Sequence, residues 1–153
     1  MTNASGAQPT HTSPVVPTMW GGSLLTLAVL VFVALDQTTL HGMADHVREH
    51  YAPHGTVPDP GLLHTYLYVT GAVGLLTWLL LMPSARARQG WVPGVATLVL
   101  LVATCGGVFN LLISEYGGPV LPPMWGVLTL LPCAVGAVTV ALLWKDRAKT
   151  VRQ

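Results

Sequence analysis

The sequence has very little charge. Only 8% of its 153 residues are Asp, Glu, Lys or Arg, and the net charge is +1, whereas a soluble domain carries about 25% charged residues. Most of this chain therefore cannot lie against water. There is also no basic patch of the kind that follows a phosphate backbone, so we expect no nucleic-acid partner.

Cysteine and the familiar catalytic motifs are also scarce. The two cysteines, Cys105 and Cys133, lie inside apolar runs and form no C-x-x-C pair, so they do not predict a disulfide framework. Their simplest interpretation is as small apolar core residues. The chain has no phosphate-binding glycine loop, no G-x-S-x-G and no H-E-x-x-H. The sequence identifies no catalytic residue and favours a protein that is not an enzyme.

Long apolar runs are what the sequence has in abundance. Hydrophobic residues make up 52% of the chain, and four runs are each close to the roughly 20 residues that cross about 30 Å of hydrocarbon as a helix. A backbone inside lipid must satisfy its hydrogen bonds internally, so these runs must be helical. We predict an all-α integral membrane bundle of four transmembrane helices, with the lipid bilayer as its first partner. The predicted spans are residues 20–40, 62–82, 91–113 and 124–144.

The remaining segments are tails and one long loop. Residues 1–17 are rich in Thr, Ser and Pro and predict a disordered tail. Residues 18–144 form the predicted transmembrane domain, whose histidine-rich loop covers residues 41–61, and residues 145–153 form a basic tail. Pro132 lies inside the fourth span and predicts a kink there.

Basic residues predict the orientation. Arg48 is the single basic residue, of seven, on one side of the predicted bundle. The positive-inside rule makes the opposite side cytoplasmic, which puts both termini in the cytoplasm of a multi-pass protein of the cell membrane. The six basic residues on that side are Arg86, Arg88, Lys145, Arg147, Lys149 and Arg152.

Polar side chains concentrate at the opposite, outer ends of the helices. Five of the six histidines fall within 24 residues there, and polar residues at membrane depth are expensive and often functional. If the first helix continues past the membrane surface, Gln37, His41 and Asp45 share a stripe with Arg48 in an arc of about 80°. This predicts an outer polar mouth that binds a ligand; the alternative is that these residues bond one another and cap helix ends. The predicted mouth residues are Asp36, Gln37, His41, Asp45, His64, Asn110 and Glu115.

A second candidate is a metal site in the loop. His46 and His50 are four residues apart, so on a helix they share a face and could reach one ion. His54 follows after a further four residues, beyond Pro53. The spacing suggests a transition metal or haem, and the alternative is a solvated loop that is rich in histidine.

The length, the four spans and the inside termini resemble the broad DoxX-like group of small bacterial four-helix membrane proteins. The similarity covers about residues 20–144 and is one of architecture. The Ala, Val, Leu and Gly bias also resembles that of small membrane proteins of high-GC actinobacteria. The resemblance implies a bacterial membrane protein, and some members of the group are linked to redox or respiratory systems. The resemblance carries no motif, so it implies no site residue.

Three functions follow from these patterns. The first is an accessory or ligand-binding membrane protein with a polar mouth on the extracytoplasmic side, which could also bind a partner membrane subunit. The second is a redox-linked subunit that uses the histidines for metal or haem. The third is a small transporter or channel that works as a homo-oligomer. The inner halves of the spans have almost no ionisable groups, which argues against a continuous polar path.

Overall fold

The computed structural model describes residues 14–55 and 57–151, with side chains through Thr150. Of the residues described, 85% are helical. The predicted tail lies mostly outside the described residues, except that residues 15–17 already belong to the first helix. The elements are α1 (Val15–Leu35), a π-helical turn (Asp36–Leu40), α2 (Gly42–Tyr51), a 3₁₀ turn (Ala52–His54), α3 (Pro60–Arg86), α4 (Val92–Leu112), β1 (Ser114–Glu115), β2 (Gly118–Pro119) and α5 (Pro123–Val151).

Four of the helices are long and apolar enough to cross a membrane, which confirms the prediction of four helical spans. Both α3 and α5 extend beyond the predicted spans at their C-terminal ends, to Arg86 and Val151. Ala, Lys and Arg are good helix formers, so the helix continues after the apolar run has ended. An apolar run therefore sets a minimum length for its helix.

The first helix does not continue past its span. After the π-helical turn, His41 takes a left-handed backbone conformation with φ 56°, and α2 begins at the next residue. The prediction of one continuous stripe through Gln37, His41 and Asp45 is therefore wrong. A non-glycine residue at positive φ is unfavourable, and the turn is stabilised by Asp36, whose carboxylate accepts from the backbone N–H of Gly42 (3.1 Å) and Met43 (3.2 Å).

The four long helices form an incomplete ring. α1 packs against both α3 and α5, and α5 packs against α4, whereas α3 and α4 scarcely touch. Their order around the ring is therefore α3, α1, α5, α4. Short links favour packing between consecutive helices, but residues 87–91 bring only the ends of α3 and α4 together. A gap remains between the rest of these two helices.

Two apolar clusters close the ring at its ends. One joins the start of α1, the end of α3, the start of α4 and the end of α5. We call this end of the bundle the basic end, because five basic residues lie there: Arg86, Arg88, Lys145, Arg147 and Lys149. Arg152 is outside the described residues. The other lies at the opposite, histidine end and contains Trp125, which is fully buried. The basic-end cluster contains Val15, Met19, Leu81, Met82, Val92, Ala96 and Leu143, and the histidine-end cluster contains Val33, Met43, Leu67, Leu121 and Trp125.

A small β-hairpin, which the sequence did not predict, joins α4 to α5. Ser114 pairs with Pro119 and Glu115 pairs with Gly118 in antiparallel register. The two turn residues, Tyr116 and Gly117, have φ of 51° and 83°, and two successive positive values are typical of the tight turn that suits a twisted hairpin. The hairpin lies beside α2, as its hydrogen bonds show below.

Candidate functional site

α2 forms a cap on the histidine end. Met43, Val47 and Tyr51 are all buried, and their spacing of four residues puts them on one face of the helix. Met43 belongs to the histidine-end cluster, so this face packs on the bundle. The segment predicted as a loop is therefore largely an amphipathic helix that covers the ends of the long helices.

The central polar contact under the cap joins Asp36 and His64. His64 Nε2 lies 3.1 Å from Asp36 Oδ2, and the two residues are only 4% and 1% exposed. His64 Nδ1 lies 3.0 Å from the carbonyl of Pro60. Because Asp36 also accepts the two N–H groups at the start of α2, one carboxylate ties α1, α2 and α3 together. We call this buried contact between Asp36 and His64, with the two N–H groups that Asp36 accepts, the latch.

Three of the other predicted mouth residues form separate pairs with tyrosines. Each tyrosine O–H donates to a different side chain: Tyr68 to Gln37 Oε1 at 2.9 Å, Tyr66 to Asn110 Oδ1 at 2.8 Å, and Tyr51 to Glu115 Oε2 at 2.7 Å. His41 and Asp45 are exposed. The structure therefore brings Asp36 and His64 together and distributes the rest. These tyrosines were not singled out by the sequence. For Tyr51, which is buried, a signal exists in principle, because a buried phenol needs a hydrogen-bond partner.

Tyr51 is the partner that fixes the hairpin to the cap. Its hydrogen bond to Glu115, together with burial and the negative charge of that carboxylate, raises the pKa of Tyr51 from 10.0 to about 12. Each of these effects favours the neutral phenol over the phenolate. The phenol therefore remains a hydrogen-bond donor throughout the neutral pH range.

The three loop histidines do not converge on one point. His46 Nε2 donates to the Pro119 carbonyl at 2.9 Å and His50 Nε2 donates to the Glu115 carbonyl at 2.8 Å, because a carbonyl can only accept. The His46 and His50 rings are 6.0 Å apart between centroids, the His50 and His54 rings 6.4 Å. Within residues 14–55 and 57–151, no three His, Cys, Asp or Glu side chains are placed to hold a metal ion. The histidines fasten the hairpin to α2, and a metal or haem role stays a prediction without geometric support.

The bundle contains a cavity that the sequence did not predict. It has a volume of about 630 Å³ and is lined by α1, α3, α4 and α5. Val69 and Val73 of α3 and Leu98 and Val102 of α4 line it and are each more than half exposed. The cavity therefore opens sideways through the gap between α3 and α4. We call the cavity together with this opening the lateral window.

Small residues at the middle of the bundle create this window. Ligand pockets commonly have volumes of about 300–1,000 Å³, and here the space exists because glycines leave it empty. A Cβ atom at Gly106 would meet no atom within 4 Å, and one at Gly74 would meet only Thr26, at 3.7 Å. Gly71 and Gly107 behave differently, since Leu30 and Leu130 of neighbouring helices fill the space beside them.

The lining of the window is uncharged and almost entirely apolar. None of its residues is Asp, Glu, Lys, Arg or His. The hydroxyls of Thr70 and Thr77 donate to carbonyls of their own helix at 2.9 and 2.8 Å, so they present no free donor. Tyr66 and Asn110 are polar lining residues whose side chains bond each other, and this bond joins α3 to α4 at the histidine end of the window.

Comparison with known proteins identifies no family for this chain. No protein-family model, no curated protein and no solved structure matches it. The resemblance to the DoxX-like group therefore stays a prediction, and the function has to be inferred from the geometry of the chain itself.

Proposed function

We propose that this chain is a non-catalytic integral membrane protein that takes a hydrocarbon-chain ligand from the bilayer into its lateral window. The observation that supports this most directly is a cavity of about 630 Å³ with an apolar, uncharged lining that opens between two membrane-spanning helices. The ligand-binding role predicted from the sequence is retained. Its site moves from the polar mouth to the window, because Asp36 and His64 bond each other and Gln37, Asn110 and Glu115 bond tyrosines.

The route of entry is sideways. At the histidine end, the bond between Tyr66 and Asn110 joins α3 to α4 and bounds the opening. At the basic end, Leu81, Ala96 and Leu143 belong to the buried cluster that seals the bundle. The opening between α3 and α4 faces the direction in which a spanning protein meets lipid tails. A ligand that is already dissolved in the bilayer can therefore enter without crossing a polar barrier.

A hydrocarbon chain suits this opening better than a helix of another protein. A spanning helix is a rod about 10 Å wide that must cross roughly 30 Å of hydrocarbon. The window is closed at one end by the Tyr66–Asn110 bond and at the other by the link at residues 87–91. Such a rod would lie across the opening, whereas a flexible chain can bend into it.

The proposed orientation has both termini in the cytoplasm of the cell. All the described Lys and Arg residues except Arg48 lie at the basic end, which the positive-inside rule favours on the cytoplasmic side. The histidine end, with the cap and hairpin, then faces outward. In this orientation the Tyr66–Asn110 bond lies toward the outer leaflet.

A photoreactive hydrocarbon tests the proposal. The probe is hexadecane carrying a diazirine at a middle carbon, added to the purified protein in lipid nanodiscs, with the labelled residues mapped by mass spectrometry. We expect labelling of Thr129 and Cys133, which line the window. In Gly106→Leu, whose new side chain has room to project into the window, this labelling should fall to roughly a tenth, since about 1.4 kcal/mol changes occupancy tenfold.

The matched control is Gly94→Leu on the same helix. A Cβ atom at Gly94 would also meet nothing within 4 Å, but Gly94 does not line the window. This variant should label Thr129 and Cys133 as the wild type does. If the probe labels only exposed residues such as Leu80 and Leu101, equally in all three proteins, the window does not bind hydrocarbon chains and the proposal is wrong.

A further inference from the structure

Asn110 provides the window with an unused hydrogen-bond donor at its histidine end. The residue is 5% exposed and lines the cavity. Its Oδ1 accepts from Tyr66, which leaves the amide nitrogen without a hydrogen-bond partner among the described residues. The one fully enclosed side-chain nitrogen or oxygen without a partner in that part of the chain is Trp125 Nε1. Asn110 Nδ2 is therefore accessible at the cavity surface.

An amide N–H that faces hydrocarbon is costly unless an acceptor meets it. Leaving a buried polar group without a partner costs about 1–3 kcal/mol. In the window no acceptor among the described residues satisfies this nitrogen, and the lining around it is apolar. An oxygen atom of the ligand would satisfy it. The position of Asn110 thus indicates that the ligand carries an acceptor at the histidine end of the window.

The surroundings favour an acceptor without charge. The window contains no Lys, Arg or His that could pair with a carboxylate or phosphate. Asn110 also lies two residues before the end of α4, where the helix dipole places partial negative charge. An anionic head would be repelled there, and a cationic head has no acceptor to receive it other than those already bonded. A neutral carbonyl, ester or ether oxygen fits.

The depth of Asn110 fits an amphiphile. The end of α4 marks the boundary of the apolar span, so the ligand head would lie near the headgroup level. Ala96, which also lines the window, is about 21 Å farther along α4 at about 1.5 Å per residue. The chain of the ligand would run along this length toward the basic end.

Resting on the proposed function, we infer that the ligand is a neutral amphiphile with a hydrogen-bond-accepting oxygen at its head, and that the amide nitrogen of Asn110 binds that oxygen. The inference depends on one observation: the amide nitrogen of Asn110, which has no partner among the described residues, lies at one end of an apolar and uncharged cavity. Asn110 is then the residue that sets specificity, while the apolar lining supplies the rest of the contact.

Two probes that differ only at the head test this inference. One is the diazirine-bearing hexadecane used above, and the other is a methyl ketone of the same chain with the diazirine at the same distance from that end. At concentrations below saturation we expect the ketone to label the wild-type window about threefold to tenfold more strongly, as one net hydrogen bond implies. In Asn110→Leu the two probes should label it equally.

Tyr66→Phe separates recognition from structure. It removes the O–H that donates to Asn110 Oδ1 and keeps both amide N–H groups, so the preference for the ketone should persist.

Should Asn110→Leu fail to fold, the infrared carbonyl band of the ketone bound to wild type gives the answer, since a hydrogen bond moves this band to lower wavenumber than that of the ketone in lipid. Equal labelling of the window by both probes in wild type, loss of the preference in Tyr66→Phe, or an unshifted carbonyl band would overturn the inference and leave the proposed function standing. Absence of window labelling by both probes would overturn both.

Discussion

At the residue scale, the polar side chains of the histidine end serve mainly to hold backbone in place. Asp36 receives two N–H groups of the turn and the ring of His64. His46 and His50 donate to carbonyls of the hairpin. These are the contacts that let a chain with an interrupted first helix and a left-handed His41 keep one conformation. The latch is thus the residue-scale feature whose removal should cost most.

We predict that Asp36→Ala lowers the free energy of unfolding by roughly 2–4 kcal/mol, because it leaves His64, the buried N–H of Met43 and the N–H of Gly42 without their partner. The measurement is reversible unfolding in mixed micelles by addition of a denaturing detergent. His64→Ala should share part of this loss, so the double variant should be less destabilised than the sum of the two single variants, with a coupling of about 1–3 kcal/mol.

Asp45→Ala is the control for this cycle, since Asp45 is exposed on α2 and its loss should change stability by less than about 0.5 kcal/mol. Equal stability of Asp36→Ala and Asp45→Ala would show that the latch does not hold the cap.

At the scale of elements, the hairpin and α2 are in close contact at Gly118, which lies against the ring of His50. A Cβ atom at Gly118 would overlap Cε1 of His50 and lie 2.9 Å from its Nδ1. The same ring donates to the Glu115 carbonyl. Any side chain at position 118 therefore displaces the ring and weakens its bond to β1.

We predict that Gly118→Ala increases amide hydrogen exchange in α2 and the hairpin, because the displaced His50 no longer holds them together. In a His50→Ala background, where the space is vacant, adding Gly118→Ala should produce little further increase. Gly90→Ala, at a position where a Cβ meets nothing within 4 Å, should leave exchange in these elements unchanged. Additive effects of Gly118→Ala and His50→Ala would contradict this account of the fit.

At the scale of the whole molecule, Trp78 lies where three helices meet. Its ring fills the space beside Gly22 of α1, and its Cη2 is 3.8 Å from a Cβ position at Gly136 of α5. Apolar surface gains little by leaving lipid for protein, so helices in a membrane associate through close packing of this kind. The order of the helices in the ring therefore depends on a few such contacts.

We predict that Gly22→Ala destabilises the bundle by about 1–3 kcal/mol, because the added methyl group overlaps the Trp78 ring and the ring must move. Its neighbour Gly21 provides the control, since a Cβ there meets nothing within 4 Å. Gly21→Ala should be neutral or more stable by up to about 1 kcal/mol, as alanine favours a helix over glycine. The comparison uses the same detergent unfolding as above; equal effects of the two substitutions would show that the ring does not determine the packing.

Several parts of the fold and of the candidate site were predictable, and each rests on a local property. Four apolar runs of sufficient length predict four helices, which the structure confirms. The grouping of Asp36 with His64 was also predicted, because both lie at the same end of neighbouring helices. The interruption at His41, the two-stranded hairpin and the tyrosine partners were not predicted. The tyrosine bonds join segments far apart in the sequence, such as Tyr51 and Glu115, and the interruption and the hairpin turn place the non-glycine residues His41 and Tyr116 at positive φ.

The sequence by itself determined the number and the helical nature of the spans, because the backbone of an apolar run that is surrounded by lipid can satisfy its hydrogen bonds only within a helix. Only the tertiary structure decided the order of the helices and the presence of the lateral window. Gly71 and Gly106 look alike in the sequence, yet Leu30 fills the space beside one and nothing fills the space beside the other. The reason is physical: whether a glycine brings two helices together or leaves a cavity depends on the side chain that faces it, and that side chain comes from elsewhere in the chain.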